Sequence, residues 1–221
     1  MTQFIDFWIS PNHKISDFEF PLSMEDKITL FSDRVMGWKL TIADTIINGG
    51  EFQHIEGSKS KYTSFPKLPH SGYAVIDILF SYFEMIGKFI EGYEKKGKSE
   101  YYCKIGLREV FPLLFSDNEN SYANIEIRLE SGEVLTIADY IVRILYKDVR
   151  CGLYHSGIAV GPVVLSAQFE TPLAFFIEKG LLYINPHILS KTLIVHFEKY
   201  LNELRNPENG RIRHNFQKRF D

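Results

Sequence analysis

The chain has 221 residues, of which 45% are hydrophobic and 24% charged, a composition typical of a folded globular protein rather than of a disordered or fibrous one. The net charge of −3 excludes a general attraction to nucleic acids or anionic membranes, so any such affinity must come from a local cluster of charges. No apolar run approaches the roughly 20 residues of a membrane-spanning helix.

The cysteines and histidines argue against the commonest metal and disulfide sites. Cys103 and Cys151 are isolated, with no CxxC spacing, and none of the seven histidines belongs to an HxxxH or HExxH pattern. We therefore expect no metal and no other cofactor. The N-terminus has no basic, apolar leader, and together these features predict a cytoplasmic protein in a reducing compartment.

The first third of the chain is predicted to hold one long helix between two irregular segments. Residues 1–22 form an N-terminal extension in this interpretation, with one short strand around 4–9. Ser23 is typical of a helix N-cap, because two acidic residues follow it, and the helix is predicted to end at Gly49. Residues 50–70 are polar, contain two prolines and are predicted to be a loop. The apolar face of this helix consists of Ile28, Phe31, Val35, Trp38, Ile42 and Ile46.

Two more helices are predicted in the middle of the chain. The second covers about 72–96 and ends in a solvated cluster of charges, and the third covers 100–111, where a proline limits it. Residues 116–135 are mixed and polar, and Ser131–Gly132 favours a hairpin turn.

A fourth helix is predicted to begin after Thr136 and to run to His155. The apolar pattern then changes to a β-like one, which predicts a β-hairpin inserted near 160–185. A last helix over 190–205 precedes a basic tail at 206–221. The fold class is therefore mainly α, a bundle of four to five helices.

Charged and aromatic side chains recur along one face of the fourth helix. A regular helix turns about 100° per residue, so one narrow strip holds Asp139, Arg143, Lys147, Arg150 and Tyr154. Three cations in a row repel one another unless something negative faces them. Two interpretations stay open: a salt-bridged surface involving Asp139, or a strip that faces a phosphate or the acidic groups of a partner.

The same geometry separates Arg150 from His155 by about 140°. His155 then lies on the apolar side of the helix, with Ile144 and Cys151, where a histidine is ordinarily part of the core. Gly152 permits a distortion that would bring the pair together. A two-fold dimer would do the same across an interface.

The sequence YKDVRCGLYHSG at 146–157 resembles the signature of the HEPN superfamily. These are helical-bundle proteins, common in prokaryotic toxin–antitoxin and defence systems, whose active members carry Arg, four to six residues, then His. Arg150 and His155 match with four residues between them, at the end of a late helix, where the family places the motif. The resemblance covers about 23–155 and the last helix. Cys151 stands where the family usually has a polar residue.

The resemblance implies a single HEPN-like domain over 1–221 and a metal-independent endoribonuclease of toxin or defence type, acting as a homodimer. Arg150 would hold the charge of the transition state, and His155 of both chains would transfer protons. RNA and an antitoxin-like protein are the implied partners. The substrate-binding residues would be Arg143, Lys147, Tyr154 and Ser156, supported by Asp148.

Two other functions fit the same residues. One is a non-catalytic HEPN-type interaction module, in which the fourth helix forms a dimer interface and the cationic strip binds a partner protein. The other is a small-molecule-binding protein with a pocket between the bundle and the inserted hairpin. Neither function involves a membrane.

Overall fold

The protein is mainly helical, and two of its helices begin at capping residues that the sequence predicts. The structure, a computed structural model, describes residues 6–56, 59–93, 95–116, 122 and 124–221. Ser23 and Thr136 accept hydrogen bonds from the third amide of their helices, which confirms both predicted starts. The helices are α1 (Met24–Val35), α2 (Thr41–Asn48), α3 (Gly72–Glu91), α4 (Ser99–Val110), α5 (Ile137–Arg143), α6 (Gly152–Ser156), α7 (Pro186–Arg205) and α8 (Gly210–Phe220).

Two π-helical segments interrupt the regular helices. Met36–Leu40 joins α1 to α2, and Ile144–Cys151 joins α5 to α6. An i→i+5 turn holds more residues than an α-helical turn, so every side chain beyond it is rotated backwards relative to a regular helix. The prediction that Trp38 lies on the buried face is therefore wrong: its side chain is 51% exposed, and Leu40 is buried instead.

The core lies around α3, which contacts α2, α4, α7 and α8. Aromatic rings fill much of it, and Phe31 touches Phe89, Phe197 and Phe216. α3 and α4 cross closely because Gly87 and Gly106 lie in the contact, where a Cβ on either would overlap the backbone of the other helix. This crossing fixes the start of α4 against α3.

The strands in the described part of the chain form three small sheets. β1 (Gly50–Glu56) pairs antiparallel with β2 (Lys59–Phe65), and β3 (Glu126–Arg128) pairs antiparallel with β4 (Val134–Thr136). The β3–β4 hairpin confirms the predicted turn at Ser131–Gly132. The third sheet consists of β5 (Val163–Leu165), β6 (Leu173–Phe176) and β7 (Leu181–Ile184).

Residues 50–70 were expected to form a loop, but β1 and β2 form a hairpin there, in register from Gly50 opposite Phe65 to Glu56 opposite Lys59. A hydrophobic pattern does not reveal this hairpin because its residues are mostly polar. The β-favouring residues Tyr62, Thr63 and Phe65 are the feature that indicates it.

The β segment near 160–185 is a three-stranded mixed sheet rather than a hairpin. β7 is the central strand, antiparallel to β6 and parallel to β5. Leu182 and Ile184 of β7 are fully buried, which a central strand allows. The sequence shows the strands, but not that the chain returns to pair β5 with β7.

The basic tail predicted at 206–221 is helix α8, which packs on the core. Ile212, Phe216 and Phe220 recur at a spacing of four residues, and Phe216 is completely buried. Because basic residues lie between these positions, the composition of the segment indicates a basic tail and does not show the apolar stripe.

The N-terminal extension at 1–22 lies against α1. Residues 4 and 5 of the strand expected at 4–9 fall outside the described residues, and the rest forms only a bridge between Trp8 and Lys14. Arg34 Nε donates to the carbonyl of Ile9 (2.8 Å), and the Asn12 amide donates to Asp33 (2.8 Å). Hydrogen bonds with polar side chains of α1, rather than strand pairing, therefore hold this segment.

Two helix limits differ from the prediction because of capping residues: Gly92 lies inside the predicted second helix, and Asn185 lies before the predicted start of the last one. α3 ends at Glu91 rather than near 96, since Gly92 adopts the left-handed conformation (φ 73°) that ends helices. α7 begins at Pro186 rather than at 190, since Asn185 caps it and proline suits a first helical position.

Candidate functional site

The second π-helical segment decides which way the candidate motif faces. Val149 and Leu153 point into the core, whereas Tyr154 and His155 are exposed. The prediction that His155 lies on the apolar side is therefore wrong, because Ile144–Cys151 rotates all that follows it. Gly157, in the left-handed conformation (φ 70°), ends α6 directly after Ser156. His155 thus lies in the last turn of a helix and faces solvent.

Arg150 is held by one carboxylate and two aromatic rings. Its Nη2 donates to Glu84 Oε2 of α3 at 3.2 Å. Its guanidinium carbon lies 5.8 Å from the ring centre of Tyr146 and 5.4 Å from that of Tyr154, within range of a cation–π interaction. The side chain is 30% exposed. A guanidinium has five N–H donors, so this pairing leaves donors for a further acceptor.

Glu84 belongs to a network that sequence reasoning did not find. Ser99 Oγ donates to Glu84 Oε1 at 2.9 Å, and Lys88 Nζ lies 2.9 Å from the same oxygen. Burial acts to raise the pKa of Glu84, but the hydrogen bonds from Lys88 and Ser99 and the charges of Lys88 and Arg150 outweigh it, and the pKa is lowered. Glu84 is therefore a carboxylate at neutral pH and orients Arg150.

A charged residue in an apolar run is the feature that points to Glu84. It stands between Phe83 and Met85 on a helix that contributes eight buried residues to the interior. Its partner Arg150 is 66 positions away, so the pair itself is not visible in the sequence.

Tyr154 links the two motif residues. Its ring lies against the Arg150 guanidinium and also meets the His155 ring edge to face, with ring centres 5.0 Å apart. Tyr154 is 71% exposed. The chain therefore presents a cation, an aromatic ring and an imidazole side by side, from the end of the second π-helical segment to the end of α6.

Arg143 and Lys147 are not beside Arg150 but line an open cleft of about 520 Å³ between α4, β4 and α5. Arg143 Nη1 lies 2.6 Å from Glu133 Oε2, and Lys104 is paired with Asp139. The cleft continues to residues 97–101 at the start of α4, next to the Ser99 that bonds Glu84. The salt-bridged interpretation of the strip therefore holds for Asp139, Arg143 and Arg150, each of which has an ion-pair partner.

Asp148 faces a loop rather than Arg150 or His155. The amide of Val160 donates to its carbonyl at 2.9 Å, and Gly161 lies so close that a Cβ there would be 2.6 Å from Oδ2. Burial raises the pKa of Asp148, and the charges of Arg143 and Lys147 counteract this only in part. Its contacts anchor the loop after α6.

No family model matches the chain, and no curated protein or solved structure is significantly similar to it. The HEPN resemblance thus rests on the motif and its place in the helix. In the described ranges, no helix is long and apolar enough to span a membrane, and no three His, Cys, Asp or Glu side chains are grouped to hold a metal ion.

Proposed function

We propose that the protein is a metal-independent endoribonuclease of toxin or defence type, in which Arg150 and His155 act across a homodimer. The exposure of His155 beside Tyr154, whose ring also lies on Arg150, is the observation that carries this proposal. A core histidine has no access to substrate, whereas an exposed one beside an oriented guanidinium does. The match to the HEPN motif supplies the reaction class.

The chemistry needs a base, an acid and a cation. The base removes the proton of a ribose 2′-hydroxyl, whose oxygen attacks the adjacent phosphorus. The acid protonates the departing 5′-oxygen, which leaves a 2′,3′-cyclic phosphate on one product. An imidazole can both accept and donate a proton, so the His155 of one protomer serves as the base and the His155 of the other serves as the acid. Arg150 stabilises the negative charge on the phosphate oxygens.

A dimer is required because each protomer contributes one histidine to this reaction. Exposed apolar side chains lie beside the motif: Tyr154 is 71% exposed, Ile158 60% and Val160 44%. Such a patch next to an exposed catalytic group favours a self-complementary contact around a two-fold axis. In this proposal Lys147, which is exposed in the cleft between α4, β4 and α5, contacts the RNA backbone, as does Ser156, which is exposed at the end of α6.

Substitution of the two motif residues tests the proposal. Arg150→Ala and His155→Ala should each abolish cleavage of RNA, and the double variant should lose no more than either single one, because the residues act as a unit. His214→Ala, which removes an exposed histidine of α8, is the matched control and should cleave normally. Folded His155→Ala with wild-type activity would refute the assignment.

The second candidate is a non-catalytic interaction module with an antitoxin-like or other protein partner. The ion pairs of Arg143 and Arg150 favour it, because they are what a stable, preorganised surface needs. In that case the wild-type dimer would leave RNA intact, and Arg150→Ala would weaken only the binding of the partner protein.

A further inference from the structure

A second cleft, outside the Arg150 network, lies where the bundle meets the three-stranded sheet. Its volume is about 370 Å³. The first residues of α3 and of α7 both line it, and each of these helices is 20 residues long. The N-terminal end of a helix carries a partial positive charge, so both helix ends at this cleft favour a negatively charged ligand.

Ser71 in this cleft has a hydroxyl group without a partner. It is the N-cap residue of α3 and is 5% exposed, yet its side chain makes no capping bond. Its Oγ is buried and has no hydrogen-bond partner in the described structure. A buried hydroxyl ordinarily has a partner, so an unpaired one that lines a cleft indicates a missing acceptor or donor. The first amides of α3, which no side chain caps, lie beside it.

The other polar groups of the cleft suit an anion. Lys67, His70 and His187 line it, and the described lining residues include no Asp or Glu. His187 Nδ1 donates to Asn48 Oδ1 at 2.8 Å, because the Asn48 amide nitrogen donates to Asp44. A histidine has two ring nitrogens, so the contact of Nδ1 with Asn48 leaves Nε2 for a ligand in the cleft.

The remaining wall of the cleft is apolar. Ile47 of α2, Leu165 of β5 and Pro186 of α7 form it. An inorganic ion alone would leave this surface uncovered. A molecule with a phosphate at one end and an apolar or planar group at the other would contact both parts of the cleft.

We propose that this cleft binds the phosphate group of a small phosphate monoester, held by Ser71, the first amides of α3 and the side chains of Lys67 and His187. The binding mode is that of a phosphate at a helix N-terminus, where N–H groups and the helix dipole both favour negative charge. The apolar group of the ligand lies on Ile47, Leu165 and Pro186.

Calorimetric titration of the full chain with phenyl phosphate tests this site, with phenol and inorganic phosphate as partial ligands. Phenyl phosphate should bind more tightly than either. Ser71→Ala should weaken its binding by about tenfold, the ratio expected for one hydrogen bond to a charged group. The melting temperature of free Ser71→Ala should equal or exceed that of the wild type, because the hydroxyl has no partner to lose.

Lys67→Ala gives a second test, since Lys67 is exposed on a loop. Lys179→Ala is the matched control, because it also removes one exposed positive charge but lies outside the cleft. Only the first should weaken binding. His155→Ala should bind phenyl phosphate normally, which separates this cleft from the proposed ribonuclease site. Absence of binding to the wild type, equal binding by Ser71→Ala, or equal losses in Lys67→Ala and Lys179→Ala would overturn the proposal.

Discussion

At the residue scale, the pairing of Arg150 with Glu84 is the feature on which the site depends. The Glu84 side chain is 15% exposed and faces two cations and a hydroxyl, so it fixes the guanidinium before any substrate arrives. A fixed guanidinium loses little freedom on binding a phosphate, which is how preorganisation strengthens transition-state stabilisation.

Glu84→Gln should lower the free energy of unfolding by about 2 kcal/mol at pH 7, because it leaves two partly buried cations without their carboxylate. The lowered pKa of Glu84 means that its stabilising contribution is complete above the usual value of 4.5 and is lost as the pH falls through the lower value of the folded state. Denaturant unfolding of both proteins at pH 7 and at pH 3 should therefore show a difference that shrinks in acid.

Glu198→Gln removes an exposed carboxylate of α7 and is the control for this comparison. It should match the wild type at both pH values. A difference between wild type and Glu84→Gln that stays constant, or grows, towards pH 3 would contradict the assigned role of Glu84.

At the element scale, two capping residues could be predicted from the sequence. Which side chains face the core beyond the two π-helical segments could not. Ser23 and Thr136 mark helix starts through local hydrogen bonds, so the neighbouring residues suffice to locate them. The π-helical segments contact distant parts of the chain, which the local pattern does not show. In the first of them, a Cβ on Gly37 would lie only 2.5 Å from Cγ of Pro11.

The same distinction explains what was predictable at the candidate site. The position of Arg150 and His155 near a helix end follows from the local pattern, and the structure bears it out. The prediction that the His155 side chain faces the core is wrong because the rotation per residue across Ile144–Cys151 is not the 100° of a regular α-helix. Glu84 was missed because tertiary packing alone brings α3 to Arg150.

Gly87→Ala tests whether the close crossing of α3 and α4 supports the site. A Cβ at Gly87 would overlap the carbonyl of Tyr102, so the helices must separate, with a loss of about 3 kcal/mol in unfolding free energy. Since Ser99 of α4 bonds Glu84, RNA cleavage should decrease as well. Thermal unfolding and cleavage assays measure both effects.

Gly210→Ala is the control for this substitution, because no atom lies within 4 Å of a Cβ at that first position of α8. It should be neutral or stabilise the protein by about 0.5 kcal/mol. Equal stability of the two variants would show that the crossing tolerates a wider separation than its geometry indicates.

At the scale of the whole molecule, helices α1 to α7 surround a core of buried aromatic and aliphatic side chains, and α8 closes it through Phe216. The motif lies on the outside of this core, at the end of α6. Apolar side chains beside it are exposed. In the proposed mechanism, assembly into a homodimer is the step that completes the site.

Ile158→Asp should convert the dimer to a monomer and abolish RNA cleavage, because it places a charge in the proposed apolar contact. Sedimentation equilibrium at micromolar concentration measures the assembly. Val195→Asp introduces the same change at a 65% exposed valine of α7 and should remain a dimer. A wild-type protein that is monomeric, or a monomeric Ile158→Asp that still cleaves, would contradict the shared site.

The most direct measurement is the cleavage of a labelled RNA by the wild-type dimer in EDTA, beside the same strand with 2′-deoxy nucleotides. The proposed mechanism predicts cleavage of the RNA alone, with a 2′,3′-cyclic phosphate on the 5′ product, because the 2′-hydroxyl is the nucleophile. Folded, dimeric protein that leaves varied RNAs intact, or that cuts the 2′-deoxy strand equally well, would contradict it.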